Sequence, residues 1–304
     1  MAARTEVQVA VEGRRLVLSN LEKVMYPEVG FTKAQVIDYY TRISPVLLPH
    51  LKGRPLTLKR YPNGVDGQFF YEKNCPDHRP KWVKTAAVWS ESNSKDINYC
   101  LAQDLPTLVW AANLADLEMH TPMALARSID KPTMVVFDLD PGPPADIVTC
   151  CRVGLLLRDH FDDLGLASYP KTSGSKGLQV HVPLKTPTTY DVTTPWSKRI
   201  AEQMEHDHRD LVVSKQKKEL RKGKVLVDWN QNVDSKTTVC VYSLRARALP
   251  TVSTPVTWDE VEGCAESGRA ADIVFQTDDV LARVEEYGDL FVDVLTLKQK
   301  LPKG

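Results

Sequence analysis

Apolar and polar positions change period several times along the chain. LVLSNLEKVMYP, 16–27, alternates briefly and predicts a short strand and a turn. Thr32-Lys-Ala-Gln35 is a capping box. It opens a predicted helix in which Val36, Tyr40 and Ile43 recur at helical spacing, with an interruption at Pro45. LTLKRYP, 56–62, reads as a strand closed by the turn PNG. DLPTLVWAANLADLEMHTP, 104–122, predicts a helix running into an extended piece, and MVVFDLD, 134–140, is the best strand pattern in the chain.

Pro143 and Pro144, with Asp146 in the first turn, predict a helix that ends near Gly165. GLQVHVPL, 177–184, is a strand after a Gly/Ser loop. Thr194-Pro195 predicts the start of another helix with Trp196, Ile200 and Met204 on one face. KVLVDW, 224–229, and TTVCVYSLRAR, 237–247, predict two more strands. Thr257 to Glu260 caps a short helix, and the last forty residues read as helical. Strands and helices interleave without a regular βαβ rhythm, so the expected fold class is α/β (α+β) with a mixed sheet and flanking helices.

Composition narrows this picture modestly. With 304 residues, 42% apolar and 26% charged, the chain has ordinary globular make-up and room for a sizeable core. No run of eighteen apolar residues and no charged-then-apolar leader is present, so a soluble, cytoplasmic protein is expected, with no membrane partner. The six cysteines show no paired CxxC spacing, which predicts reduced thiols. Cys75-Pro-Asp-His78 supplies half of a zinc spacing with no second pair close behind, and a structural reading is favoured there. The 39 basic and 39 acidic residues balance, so any nucleic-acid surface must be local. SKQKKELRKGK, 214–224, is such a segment; a solvated face and a phosphate contact fit it equally.

The chemistry concentrates in three places. In VVFDLDPG, 135–142, Asp138 and Asp140 fall on one strand face with Cα atoms about 6.6–6.8 Å apart, close enough to converge on cations. Buried carboxylates are costly unless neutralised, and a two-metal site wants about three such groups. Asp228 in KVLVDW is the most core-like further acid; a strand-end turn or salt bridge is the bland alternative for the pair. Second, TSGSKG, 172–177, combines two glycines, two serines and Lys176, a composition whose backbone N–H groups can curl around an anion. It lacks the Walker A spacing, and a flexible turn is the alternative. Third, Ser243, Arg245 and Arg247 would share a strand face, where two arginines need anionic partners unless they are solvated at an edge. Together these describe a site for a metal–triphosphate.

An ordered set of segments then resembles the polymerase domain of bacterial end-joining DNA ligases (ligase D), in the archaeo-eukaryotic primase superfamily, which also contains stand-alone primase-polymerases. The set is LSNLEKVMYPEVGFTK, LKRYPNGVDGQFFYEK, LEMH, FDLDPG, TSGSKGL, KVLVDWNQN, SKTT and YSLRAR, over roughly residues 14–290. The resemblance implies a single domain over 1–304, with a DNA-contacting part at about 14–130 and a catalytic part at about 131–290. It implies a template-directed nucleotidyltransferase that uses two Mn²⁺ or Mg²⁺ ions and NTP or dNTP substrates. Asp138, Asp140 and Asp228 would be the catalytic metal ligands. His120, Ser173, Lys176, Gly177, Gln179, His181 and Arg245 would bind the nucleotide, with His120 near the sugar and ribonucleotides preferred. Asn20, Lys23, Lys33, Lys59, Arg60, Phe70 and Tyr71 would contact DNA, the lysines at a 5′-phosphate and the aromatic pair on the template. Gapped or 5′-phosphorylated DNA, a Ku-like end binder and a DNA ligase are the partners implied, and the bacterial nucleoid the location.

The chain departs from the family pattern where Gln179 stands in place of a histidine, with His181 two residues on. The 74–98 region and the short stretch between His120 and Asp138 also differ. No K-x-D-G motif is present, so no ligase activity is expected of this chain. Two competing readings are a non-catalytic DNA-end binding module and an aspartate-nucleophile phosphatase built on FDLD; the second leaves Asp228 unexplained.

Overall fold

The computed structural model describes residues 5–184 and 187–302. Helices and strands mix as expected, around a five-stranded sheet. Its strands run in the order Tyr169–Thr172, Leu178–Pro183, Met134–Pro141, Val225–Asp228 and Val212–Val213, with the last pair parallel and the other neighbours antiparallel. A second sheet of four strands orders Thr238–Val239, Asp116–Thr121, Thr57–Arg60 and Phe70–Glu72. Alternation gives the first sheet one apolar face. Val135, Phe137, Leu139, Val180, Val225 and Val227 are all fully buried there, in one cluster with residues of helices Ile147–Asp163 and Tyr190–Asp207. Phe161 and Trp196, one from each helix, stack 6.1 Å apart beneath Phe137. The opposite face carries the polar residues.

Several elements depart from their sequence expectation, each for a local reason. Helix Lys33–Leu51 opens on the predicted Thr32 capping box but continues through Pro45 and Pro49. Pro45 cannot donate to the Thr41 carbonyl; the Ser44 hydroxyl does so instead, at 2.8 Å, while Val36, Tyr40, Ile43 and Leu47 are buried along one stripe. Helix Ile147–Asp163 begins after the prolines, with Asp146 as its cap rather than in its first turn. Helix Tyr190–Asp207 starts one turn before Thr194, because Tyr190 and Thr193 are themselves buried, and Pro195 lies inside it; Trp196, Ile200 and Met204 share the buried face as predicted.

The 237–247 run keeps only Thr238–Val239 as strand. Tyr242 takes a left-handed backbone conformation, φ 63°, which breaks the alternation. Ser243 is therefore buried, donating to Leu244 O and accepting from Met119 N, and does not share a face with Arg245 and Arg247. The C-terminal forty residues form short helices, including Thr277–Tyr287 and Asp293–Thr296, rather than one long one.

The cysteine expectation is also corrected. Cys75 and Cys100 are disulfide-bonded, and four of the six cysteines, 150, 151, 240 and 264, are free and buried. The pairing comes from the return of strand Lys95–Leu101 past the Cys75 loop, where Cys75 N donates to Asn98 O at 2.7 Å. With its sulfur in that bond, Cys75 has no role in a half-zinc motif.

Candidate active site

The register lays one polar row across the first sheet: Lys171 opposite Gln179, Gln179 opposite Asp138, and Asp138 opposite Asp228. Asp140 follows two residues along, on the same face. Burial, and then the charge of Asp140, push the Asp138 carboxyl well above the usual carboxylate range; Gln179 and Lys171 pull it back. Asp140 is likewise raised, by burial and then by the charge of Asp228, against Arg221 and Arg245. The acids thus sit close enough to repel. Gln179 Nε2 donates to Asp138 Oδ1 at 3.1 Å and to Thr238 Oγ1 at 2.7 Å, while its Oε1 is buried without a hydrogen-bond partner. Asp228 is turned to its own loop: Oδ1 accepts from Asn230 N at 2.9 Å and Oδ2 from Gln231 Nε2 at 3.3 Å.

As placed, no three Asp, Glu, His or Cys side chains among the described residues close around a single point. The donor set nevertheless fits hard divalent cations. It consists of carboxylate oxygens, and the mutual repulsion of Asp138 and Asp140 is charge that such a cation neutralises.

A polar cleft of about 510 Å³ lies above the row, between the two sheets. Asp138, Asp140 and Gln179 line one side, and His120, Tyr71 and Thr57 the other. The Thr172–Gly177 loop closes one end with Ser173, Ser175 and Lys176, and Arg245 and Arg247 stand beside it. Loop geometry explains its glycines. A side chain at Gly177 would meet Leu139 O at 2.0 Å, and Gly174 is left-handed at φ 65°, against Val252. Ser173 Oγ accepts from the loop's own Ser175 and Gly177 amides, so those two N–H groups are already engaged. Arg245 donates to Ser173 O and Arg247 to Ser175 Oγ, which ties both arginines to the loop. The basic 214–224 segment packs against the end of the Asp140 strand: Gly223 N donates to Gly142 O at 3.0 Å, and a Cβ on Gly142 would stand 1.9 Å from Arg221 O.

Other sequence candidates fall elsewhere. His181 shares the Gln179 face but is fully buried, 3.4 Å from Met134 Sδ and against Phe291, and does not line the cleft. Phe70 and Tyr71 point to opposite faces. Tyr71 lines the cleft, 5.9 Å from His120 and 6.0 Å from Phe69, whereas Phe70 lies over Arg60. Arg60 is engaged by Glu72 at 2.7 Å and by Leu114 O at 2.8 Å. Lys23 and Lys33 are brought together by the short Val24–Thr32 pairing, where Lys33 N donates to Lys23 O. Lys23 reaches Asn63 Oδ1 at 3.0 Å; Lys33 is buried and donates to Ser19 O at 2.6 Å, next to Asn20. Lys59 stands behind the cleft, among the rings of Tyr61, Phe69 and Tyr71.

Two residues were missed. Lys171 is fully buried, its Nζ 2.6 Å from Ser253 Oγ, and burial lowers its ammonium pKa against the pull of Asp138. Glu118, two residues before His120 and therefore on its face, is 2% exposed and meets Lys59, His120 and Arg245 at once. Alternation within LEMH contained that signal.

A row of acids faces a Gly/Ser/Lys loop and two arginines across a cleft between two sheets, in keeping with a nucleotidyltransferase of primase-polymerase type. Residues 32–291 match the family model described as LigD, primase-polymerase domain, and the chain belongs to that family. It is 41% identical over 278 residues to the multifunctional non-homologous end joining protein LigD of Mycolicibacterium smegmatis, covering 91% of this chain and 35% of that protein. It is 32% identical over 289 residues to the bifunctional non-homologous end joining protein LigD of Bacillus subtilis, covering 95% of this chain and 45% of that one. The chain thus spans less than half the length of these relatives. The polymerase domain from Mycobacterium tuberculosis ligase D, solved in complex with DNA, superposes with a TM-score of 0.86 at 38% identity, covering 94% of this chain and 99% of that one. No helix among the described residues is long and apolar enough to cross a membrane.

Proposed function

We propose that the chain is a DNA-dependent polymerase that adds nucleotides, ribonucleotides by preference, to a primer 3′-OH at short gaps or DNA ends during break or excision repair. The observation that carries this reading is that Asp138 and Asp140 lie on the floor of a cleft whose wall holds Lys176, Arg245, Arg247 and His120, with the buried Asp228 opposite Asp138 in the sheet register. The 3′-hydroxyl oxygen attacks the α-phosphate, the bond to the β-phosphate breaks and pyrophosphate leaves. Asp138, Asp140 and Asp228 would hold two Mn²⁺ or Mg²⁺ ions, whose positive charge would offset the negative charge on the attacking and leaving oxygens, and the proton of the 3′-hydroxyl passes to solvent. Lys176, Arg245 and Arg247, which line the cleft, would meet the triphosphate charge, and Tyr71 and His120, on its other side, would meet the sugar. Ser173 and Gly177 hold the loop in shape, Gln179 orients Asp138, and His181, on the same face but outside the cleft, packs against Met134 and Phe291.

Lys23, with Lys33 and Asn20 beneath it, is the proposed 5′-phosphate contact. Lys59 supports the cleft from behind, Arg60 with Phe70 the outer DNA surface. The finer assignments, gapped 5′-phosphorylated DNA, a Ku-like partner and a ligase, belong to the same proposal, as does location at the bacterial nucleoid. The test is templated extension of a gapped, 5′-phosphorylated duplex with Mn²⁺ and each nucleotide set. Extension abolished by Asp138→Ala and by Asp228→Ala supports the reading. DNA binding without extension by the wild-type protein would leave an end-binding module in its place.

A further inference from the structure

The Glu118 carboxylate has two differently occupied oxygens. Oε1 is anchored by protein: Ala246 N donates at 3.1 Å and Tyr61 OH at 3.5 Å. Oε2 faces three basic groups: His120 Nε2 at 3.1 Å, Lys59 Nζ at 3.2 Å and Arg245 Nε at 3.4 Å. These come from three separate segments, strand Asp116–Thr121, strand Thr57–Arg60 and the irregular 240–252 stretch. Burial by itself would raise the Glu118 pKa. The His120 hydrogen bond and the charges of Arg245, His120 and Lys59 outweigh it and hold the carboxyl far below the usual range. An anion this buried is tolerated only with such partners. In the other direction, the Lys59 ammonium and the Arg245 guanidinium repel one another unless something negative stands near both, and burial lowers the pKa of His120, which meets Glu118 as a hydrogen-bond partner.

We propose that Glu118 is the positioning residue of the nucleotide site, holding His120 toward the sugar and Arg245 toward the phosphates from one fixed point. This deepens, and rests on, the polymerase reading. Glu118 does not itself line the cleft, whereas His120 and Arg245 do, so its effect on substrate passes through them. The Ala246 amide makes the assignment specific. It locks the backbone between Arg245 and Arg247 to the same carboxylate, so the loop that carries both arginines is placed by Glu118 and not only charge-balanced by it. Two consequences follow for substrate choice. A loosened His120 loses discrimination between ribose and deoxyribose, and a loosened Arg245 weakens triphosphate binding for both.

The experiment compares wild type, Glu118→Gln, Glu118→Asp, His120→Ala and the Glu118→Gln/His120→Ala double variant in templated extension with ATP and dATP, alongside melting curves and binding to gapped DNA. Wild-type extension is read first; its absence refutes the polymerase reading and is separate from the fate of this proposal. With extension present, Glu118→Gln should raise nucleotide KM about tenfold, since charge-assisted bonds are lost. Its kcat should change less, its ribo-over-deoxy ratio should fall toward one, and DNA affinity should hold. Glu118→Asp, which keeps the charge, should recover part of the KM. The double variant should show the same sugar ratio as His120→Ala alone. An unchanged KM and sugar ratio in folded Glu118→Gln overturns the proposal. So does additive loss of sugar discrimination in the double variant. Loss of folded protein in both Glu118 variants would assign the carboxylate to stability and overturn it as well.

Discussion

Gln179 bridges Asp138 and Thr238, donating to Asp138 Oδ1 at 3.1 Å and to Thr238 Oγ1 at 2.7 Å. It therefore links the Met134–Pro141 strand to the edge of the second sheet, across the cleft. Where the family pattern places a histidine, this chain keeps a neutral donor whose charge does not vary with pH. The bond favours the ionised form of Asp138. Gln179→Leu should raise the Asp138 pKa further and move the acid limb of the pH–rate profile upward by roughly 0.5–1 unit. An acid limb that stays in place would remove Asp138 from that limb.

Metal-free stability should run against function at the same residue. The folded-state pKa of Asp138 is raised to about 7, so its contribution is fully favourable below the unfolded value of about 4 and is lost as pH rises through 7. Asp138→Asn escapes that loss. We expect it to melt several degrees above wild type at pH 8 without divalent ions, with a smaller difference at pH 5, while extension falls at least a thousandfold, on the order of other losses of an essential catalytic group. Equal melting points at both pH values would show that the carboxylates do not strain the empty site.

The proposed phosphate loop depends on the absence of a side chain. A Cβ at Gly177 would overlap Leu139 O at 2.0 Å, which is backbone and cannot swing aside. Gly177→Ala should therefore lower the melting temperature and raise nucleotide KM together, because the shift displaces Ser173 and Lys176. A variant with wild-type KM would show that the loop does not touch nucleotide.

Lys23 and Lys33 should separate in their effects. Lys33 is buried on Ser19 O, whereas Lys23 is half-buried and reaches the side chain of Asn63. Lys23→Ala should weaken binding to 5′-phosphorylated gaps and leave unphosphorylated DNA and the melting curve near wild type. Lys33→Ala should lower both stability and binding. The comparison of the two DNAs by equilibrium titration, with melting in parallel, decides between specific phosphate contact and general charge.

The Cys75–Cys100 bond closes a loop over 25 positions, and a crosslink of that span contributes about 3 kcal/mol by restricting the unfolded chain. Cys75→Ser with Cys100→Ser should melt below the oxidised wild type and match the reduced one. Thiol labelling of the denatured, unreduced protein that counts six free cysteines would refute the pairing.

The chain's linear order was enough to place the candidate chemical groups on particular strands. The D-x-D alternation, the third acid in KVLVDW and the Gly/Ser/Lys loop are local patterns, because a strand's period of two and a glycine's freedom act within a few residues. The mixed α/β class was equally legible. Relationships between distant segments were not. Nothing near Pro45 announces that Ser44 will satisfy the orphaned carbonyl, and nothing in YSLRAR shows that Tyr242 turns left-handed and sends Ser243 inward. His181 and Gln179 have the same strand parity, yet one is enclosed by Met134 and Phe291 and the other opens on the cleft. Glu118 acquires its meaning only when Lys59, His120 and Arg245, up to 186 residues apart, converge on one oxygen. Sequence periodicity fixes which way a side chain points from its own element. What it points at is decided by packing between elements, where burial and charge neutralisation act without regard to distance along the chain.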